Sequence, residues 1–74
     1  PLDVVVGTDG NVYVASGAGD IVRYDSDGTL IDVFIPVSEP NLQEPTGLAL
    51  GSDGNLYVAN YSANEILRYD INTG

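Results

Sequence analysis

Three features of this 74-residue sequence predict an all-β chain: a β-propeller fragment of about 1.75 blades, with seven antiparallel strands in the order A-B-C-D-A-B-C. The first is a long internal repeat. Residues 45–64 restate residues 1–20 at an offset of 44, and after a one-residue insertion 66–70 restate 21–25. Twelve of these 25 aligned positions are identical, far beyond chance. A period of about 40–50 residues holding several short strands is the mark of a propeller blade. The second is the recurrence of Asp-Gly turn signals, at Asp9-Gly10, Asp27-Gly28 and Asp53-Gly54. The third is a set of short segments, Val4-Val5-Val6, Leu48-Ala49-Leu50 and Tyr57-Val58-Ala59, that are apolar on both faces of a pleat. A sheet made of these needs cover on each side, and no helical segment is present to provide it.

Taken in order, residues 3–7 read as a β-branched strand. Thr8-Asp9-Gly10-Asn11 is a turn, because Gly adopts positive φ without a Cβ clash and Asp tolerates it. Residues 12–16 form a second strand, and Ser16-Gly17-Ala18-Gly19 a loop. Residues 20–25 form a third strand, 25–29 a turn, and 30–35 a fourth strand. Pro36, Pro40 and Pro45 lack an amide donor, so the piece they span is a connector rather than a central strand or helix. The unit then restarts, with strands over 47–51, 55–60 and 65–70. The expected division is a four-stranded blade over 1–35, a connector over 36–44, and three strands of a second blade over 45–74.

Composition narrows the function. Leu, Ile, Val and Phe make up 22 of 74 residues, enough apolar content for the chain to fold. There is no cysteine, hence no disulfide or thiolate metal site, and no histidine, the commonest general base and metal ligand. Eleven acids against Arg23 and Arg68 give a net charge of −9. That charge repels a phosphate backbone and an anionic bilayer, so neither nucleic acid nor membrane is an expected partner. No apolar run approaches the ~20 residues of a membrane helix. The chain begins at Pro1 without a Met, as a processed or truncated chain would.

The stretch Pro45-Thr46-Gly47-Leu48-Ala49-Leu50-Gly51-Ser52-Asp53-Gly54-Asn55-Leu56-Tyr57-Val58-Ala59-Asn60, followed by Glu65-Ile66-Leu67-Arg68-Tyr69-Asp70, resembles an NHL-type blade. It is also similar to blades of the gluconolactonase/regucalcin-like six-bladed propellers. The resemblance covers nearly the whole chain in two copies and implies rings of about six blades. It further implies that the connector and the loops 16–20 and 60–64 lie on the ligand face of the ring, and the turns 8–11, 25–29 and 52–55 on the other. The candidate binding residues on that face are Thr46, Asn60, Tyr61 and Asn64. Tyr61 stands out because Gly17 holds the matching place in the first unit.

In the metal-dependent lactonase branch, the resemblance places an Asn or Asp ligand at the middle of a Pro-x-Gly opening. Here that place is Thr46 or, in the first unit, Leu2, and Asp3 is one position out of register. Asp25-Ser26-Asp27-Gly28 with Asp32 resembles the start of a calcium loop, but Pro36 stands where the closing Glu belongs, and a turn accounts for the same residues. Arg23 and Arg68, each followed by Tyr-Asp, are expected to pack their stems on a neighbouring blade and pair with an acid there. Asn60-Tyr61-Ser62 fits a glycosylation sequon. No nucleophile has a base in motif register, so no catalytic residue, metal or cofactor is expected.

The resulting expectation is a structural or binding module: a two-blade piece that completes a ring with copies of itself or with the missing blades of a longer chain. Two bare apolar faces of several hundred Å² each would demand it. The alternatives are a fragment of a lactonase-type hydrolase whose catalytic residues lie in other blades, and a platform for a protein partner.

Overall fold

The computed structural model describes residues 2–39, 42, 44–61 and 65–74. Seven strands form two antiparallel meanders. The first sheet holds β1 (Asp3–Val6), β2 (Val12–Ala15), β3 (Ile21–Tyr24) and β4 (Leu30–Ile35); the second holds β5 (Pro45–Leu50), β6 (Leu56–Asn60) and β7 (Glu65–Tyr69). Each strand pairs with its sequence neighbours, in the orders β1-β2-β3-β4 and β5-β6-β7. The architecture is all-β and matches the expected four-plus-three arrangement. One strand starts earlier than expected: β5 begins at Pro45 rather than at residue 47. A proline is tolerated as the first residue of a strand, and a register shift between Pro45 and Gly47 absorbs it.

The turns follow from their side chains. Gly10, Gly28 and Gly54 adopt φ of 84°, 87° and 82°, a region where a Cβ would be strained. The Asp before each turn folds back on the backbone. Asn11 N donates to Asp9 Oδ1 (3.0 Å), Asn55 N to Asp53 Oδ1 (3.0 Å), and both Asp27 N and Thr29 N to Asp25 Oδ1 (2.9 Å each). These side-chain turns close the β1-β2, β3-β4 and β5-β6 hairpins, of which β1-β2 runs without a slip and the other two carry register shifts along their strands.

Alternation along the strands gives each sheet two faces, and one face of each meets the other sheet. From the first sheet come Tyr13, Ala15, Ile21 and Ile35; from the second come Leu56, Val58 and Tyr69. Leu42 from the connector and Ile71 from the last turn close the same core. The Cα radius of gyration is 11.1 Å. A compact domain of this length has a radius of about 11 Å, so the two sheets are truly stacked.

A carboxylate ties the stack together. Leu48 N donates to Asp3 Oδ2 (2.7 Å) across the two sheets, and Val4 N donates to Asp3 Oδ1 (2.9 Å). These bonds hold the Asp3 carboxyl below its usual range, Leu48 contributing most. Asp9 is also lowered: burial pushes it up, but the Tyr13 hydroxyl and Asn11 amides outweigh this. A carboxyl with a depressed folded pKa stabilises the fold above its unfolded value of about 3.9 and loses that contribution as pH falls through the folded value. The denaturant midpoint is therefore expected to be flat from pH 7 down to the ordinary carboxylate range and to fall below it. Asp3→Asn, which keeps an acceptor oxygen, should make that acid limb shallower. An unchanged limb would mean the bridge between the sheets is not ionic.

The faces that look away from the stack are bare. On the first sheet Val4, Val6, Leu30 and Val33 are 57%, 61%, 58% and 49% exposed. The expectation of cover on both faces of each sheet is thus met on one face only.

Candidate functional site

The antiparallel order puts the ends of β2, β4 and β6 and the starts of β3, β5 and β7 at one end of the stack, and the Asp-Gly turns at the other. At the connector end, Thr46, Asn60 and Tyr61 line one cavity of about 360 Å³, together with Ala59, Glu65 and Ile66. Three of the four sequence-derived candidates therefore line one cavity; Asn64 lies outside the described residues. Their situations differ. Thr46 is exposed and Tyr61 is 73% exposed, but Asn60 is 1% exposed. Glu44 N donates to Asn60 Oδ1 (2.9 Å), and Tyr61 N donates to Glu44 O (2.9 Å), so Asn60 pins the connector to the end of β6. Its burial also withdraws the sequon asparagine from the surface.

The cavity offers a hydroxyl, a phenol ring and the Glu65 carboxylate. Among the described residues, no group of three or more acids gathers as a divalent-cation site would require. Thr46 and Leu2 bring no carboxylate to the Pro-x-Gly position. Asp3 has both oxygens committed to backbone amides, and Asp25 spends Oδ1 on its own turn.

The repeated Gly-x-Asp-Gly-Asn-x-Tyr segments build a cluster that sequence reasoning took only as a turn. Tyr13 donates its hydroxyl to Asp9 Oδ2 (2.6 Å), and Tyr57 donates to Asp53 Oδ2 (2.6 Å). Each tyrosine ring lies over the first glycine of its segment. A Cβ on Gly7 would sit 2.8 Å from Tyr13 Cε1, and one on Gly51 would collide with the Tyr57 ring. Burial, then the Asp9 bond, raises the Tyr13 pKa; the Asp53 bond leads for Tyr57. The signal available in the sequence was the joint recurrence of glycine, aspartate and tyrosine at fixed spacing in both units.

Arg23 is the place where the structure corrects the expected partner. Its acid lies on the same blade, not a neighbouring one. Arg23 Nε and Nη2 donate to Asp32 Oδ1 and Oδ2 of β4 (2.9 and 2.6 Å), a two-pronged pair of good geometry. Its guanidinium also sits 5.0 Å from the Phe34 ring centroid, and Phe34 meets Tyr13 edge to face at 5.0 Å and 75°. Both are favourable arrangements for an aromatic ring. Asp32, Phe34, Arg23 and Tyr13 thus form one unit spanning β2 to β4.

The larger surface feature is the bare face of the first sheet. Leu2, Val4, Val14, Val22 and Tyr24 line a cavity of about 630 Å³ there, with Asp3 and Ser16 at its edge. In the second unit the matching positions are Thr46, Leu48, Val58, Leu67 and Tyr69, and Leu48, Val58, Leu67 and Tyr69 belong to the covered face. Val58 is fully buried and Tyr69 is 9% exposed, its phenol pushed up to about 12 by burial and by Glu39 and Glu65. The reverse also holds. Ile66, on the bare face of the second sheet, is 67% exposed, and its counterpart Ile21 is fully buried. The apolar positions of β1–β3 and β5–β7 on each bare face repeat those of the covered face of the other sheet, with Gly47 standing where the first unit has Asp3.

Comparison with known families agrees with this geometry. Residues 42–69 match the NHL repeat, and residues 1–24 match the strictosidine synthase-like N-terminal model. No curated protein and no solved structure matches the chain.

Proposed function

We propose that the chain, whose residues 42–69 match the NHL repeat and 1–24 the strictosidine synthase-like N-terminal model, is a binding or structural module of propeller-type blades, and that each of its two bare faces takes a further blade of the same kind. The ring is completed by copies of this chain or by blades of a longer one. One observation carries the reading: the apolar strand positions of β1–β3 and β5–β7 on the bare faces repeat those of the interface already formed between β1–β4 and β5–β7, with Gly47 at the place of Asp3. A second copy presenting its β5–β7 face to the first copy's β1–β4 face would repeat the apolar contacts of that interface, without the Asp3 bridge and without a counterpart of β4. Such a contact is heterologous, and rotation about a common axis closes it, with three copies supplying about six blades.

Light scattering over a range of concentrations tests this on the 74-residue chain. The expected mass exceeds the 7.8 kDa of one chain and rises to a closed multiple. Val4→Asp places a charge in the middle of the bare apolar face. It should return the mass to a single chain with its β signal intact, because Val4 is already more than half exposed. A single compact molecule at every concentration, with a concentration-independent melt, would overturn the reading.

A further inference from the structure

Gly follows Asp at three places in the chain, Asp9-Gly10, Asp27-Gly28 and Asp53-Gly54. Such a pair holds a latent reaction. Glycine has no Cβ to shield its amide, so the glycine nitrogen can attack the side-chain carboxyl of the Asp before it. The backbone treats the three pairs alike. Gly10, Gly28 and Gly54 share φ of 84°, 87° and 82°. Gly10 N donates to Gly7 O, Gly28 N to Asp25 O and Gly54 N to Gly51 O, at 3.0 Å in every case.

The carboxyls are not alike. Asp9 Oδ1 accepts from Asn11 N (3.0 Å), and Asp9 Oδ2 accepts from the Tyr13 hydroxyl (2.6 Å) and Asn11 Nδ2 (3.3 Å). Asp53 repeats this set with Asn55 and Tyr57 at the same three distances. Three bonds fix each side chain in place and favour its ionised form. The Tyr57 hydroxyl leads in holding Asp53 below the usual carboxylate range. In the turn between β3 and β4, Thr29 and Ile31 stand where the other turns have Asn and Tyr. There the anchoring carboxylate is two residues earlier: Asp25 Oδ1 accepts from Asp27 N and Thr29 N (2.9 Å each). Asp27 itself is exposed, and its carboxyl receives no hydrogen bond among the described residues.

We infer that Asp27 is a modification site, the position at which the folded chain isomerises spontaneously to isoaspartate, while their hydrogen bonds protect Asp9 and Asp53. The reaction needs only water. Gly28 N forms a bond to Cγ of the uncharged Asp27 carboxyl. The carboxyl oxygen leaves with its proton and the amide proton as water, and a five-membered imide remains. Water then opens the imide. Breaking the bond from nitrogen to Cγ restores aspartate. Breaking the bond from nitrogen to the main-chain carbonyl carbon of Asp27 leaves the peptide running through Cγ. That product has the mass of the parent and an extra methylene in the backbone of the turn, inside the span that the Asp25 N to Thr29 O bond (2.9 Å) closes.

The test holds the 74-residue chain at neutral pH and body temperature, folded and in guanidinium chloride, with samples taken over weeks. Trypsin cleavage after Arg23 separates Asp9 from the other two sites. Electron-transfer fragmentation, which breaks the Cα–Cβ bond of isoaspartate, then reads Asp27 and Asp53 within one peptide. In the folded chain isoaspartate should accumulate at Asp27 several-fold faster than at Asp9 or Asp53, and in denaturant the three sites should convert at similar rates. Tyr57→Phe removes the shortest bond to Asp53. With its fold checked by circular dichroism, it should raise conversion at Asp53 several-fold and leave Asp9 of the same chain unchanged. Similar rates at all three sites in the folded chain overturn the inference. So does the same ranking in denaturant, because local sequence and not hydrogen bonding would then set it. A Tyr57→Phe chain whose Asp53 converts as slowly as before also overturns it.

Discussion

Tyr13→Ala is expected to cost about 3–5 kcal/mol, the range for removing a large buried aromatic side chain. Stabilities of about 0.05–0.15 kcal/mol per residue put a chain of this size at roughly 4–11 kcal/mol, so the variant should lie at or past the edge of folding at about 25 °C. The size of the effect comes from what the ring touches. It is fully buried between the sheets, meets Phe34 edge to face, and covers Gly7. Its hydroxyl anchors the Asp9 turn. Tyr13→Phe separates these contributions, because it keeps the ring and removes only the bond to Asp9, and it should cost about 1 kcal/mol. Urea unfolding of both variants measures the difference. A Tyr13→Ala cost below that of Tyr13→Phe would remove the ring from the core.

Gly7→Ala is expected to destabilise by about 1–3 kcal/mol, and Gly51→Ala by clearly less in the isolated chain. Both glycines lie under a tyrosine ring and beside an Asp Oδ1, 2.6 Å from the added Cβ in each case. The difference is the freedom of the ring. Tyr13 is held between two sheets and cannot give way; Tyr57 lies on a bare face and has room to move. Filling that face removes the room. Under the proposed docking of further blades on β5–β7, the two costs should therefore converge as protein concentration rises, which makes the pair a reporter of that docking. Equal costs in dilute, monomeric chain would mean that the Tyr57 ring is fixed by its own blade.

Much of the architecture was legible in the sequence because it depends on local chemistry that is written twice. Asp9-Gly10 and Asp53-Gly54 specify tight turns through their own backbone and side chains. The period of the repeat places the strands, and the three-residue apolar runs announce sheets that need cover. The resemblance to a propeller blade placed Thr46, Asn60 and Tyr61 on one face, since it puts their segments at one end of the strands. It did not see that Asn60 is a structural anchor, because the Glu44 amide it serves is 16 residues away. Nor did it find the partner of Arg23. Asp32 is nine residues on, across a strand pair with two register shifts, and those shifts turn Asp32 and Phe34 to the side of Arg23.

The amino-acid sequence by itself determined the number of strands, their order and the chemistry of the Asp-Gly turns, because each rests on residues within a few positions of one another. The tertiary structure decided which copy of a repeated residue is buried. Ile21 and Ile66 are the same residue at the same place in the unit, but one is sealed and the other is 67% exposed. Tyr13 and Tyr57 divide in the same way. Burial is a property of what lies on the other side of the sheet, and two copies of one pattern have different neighbours when one stands inside the stack and the other at its end.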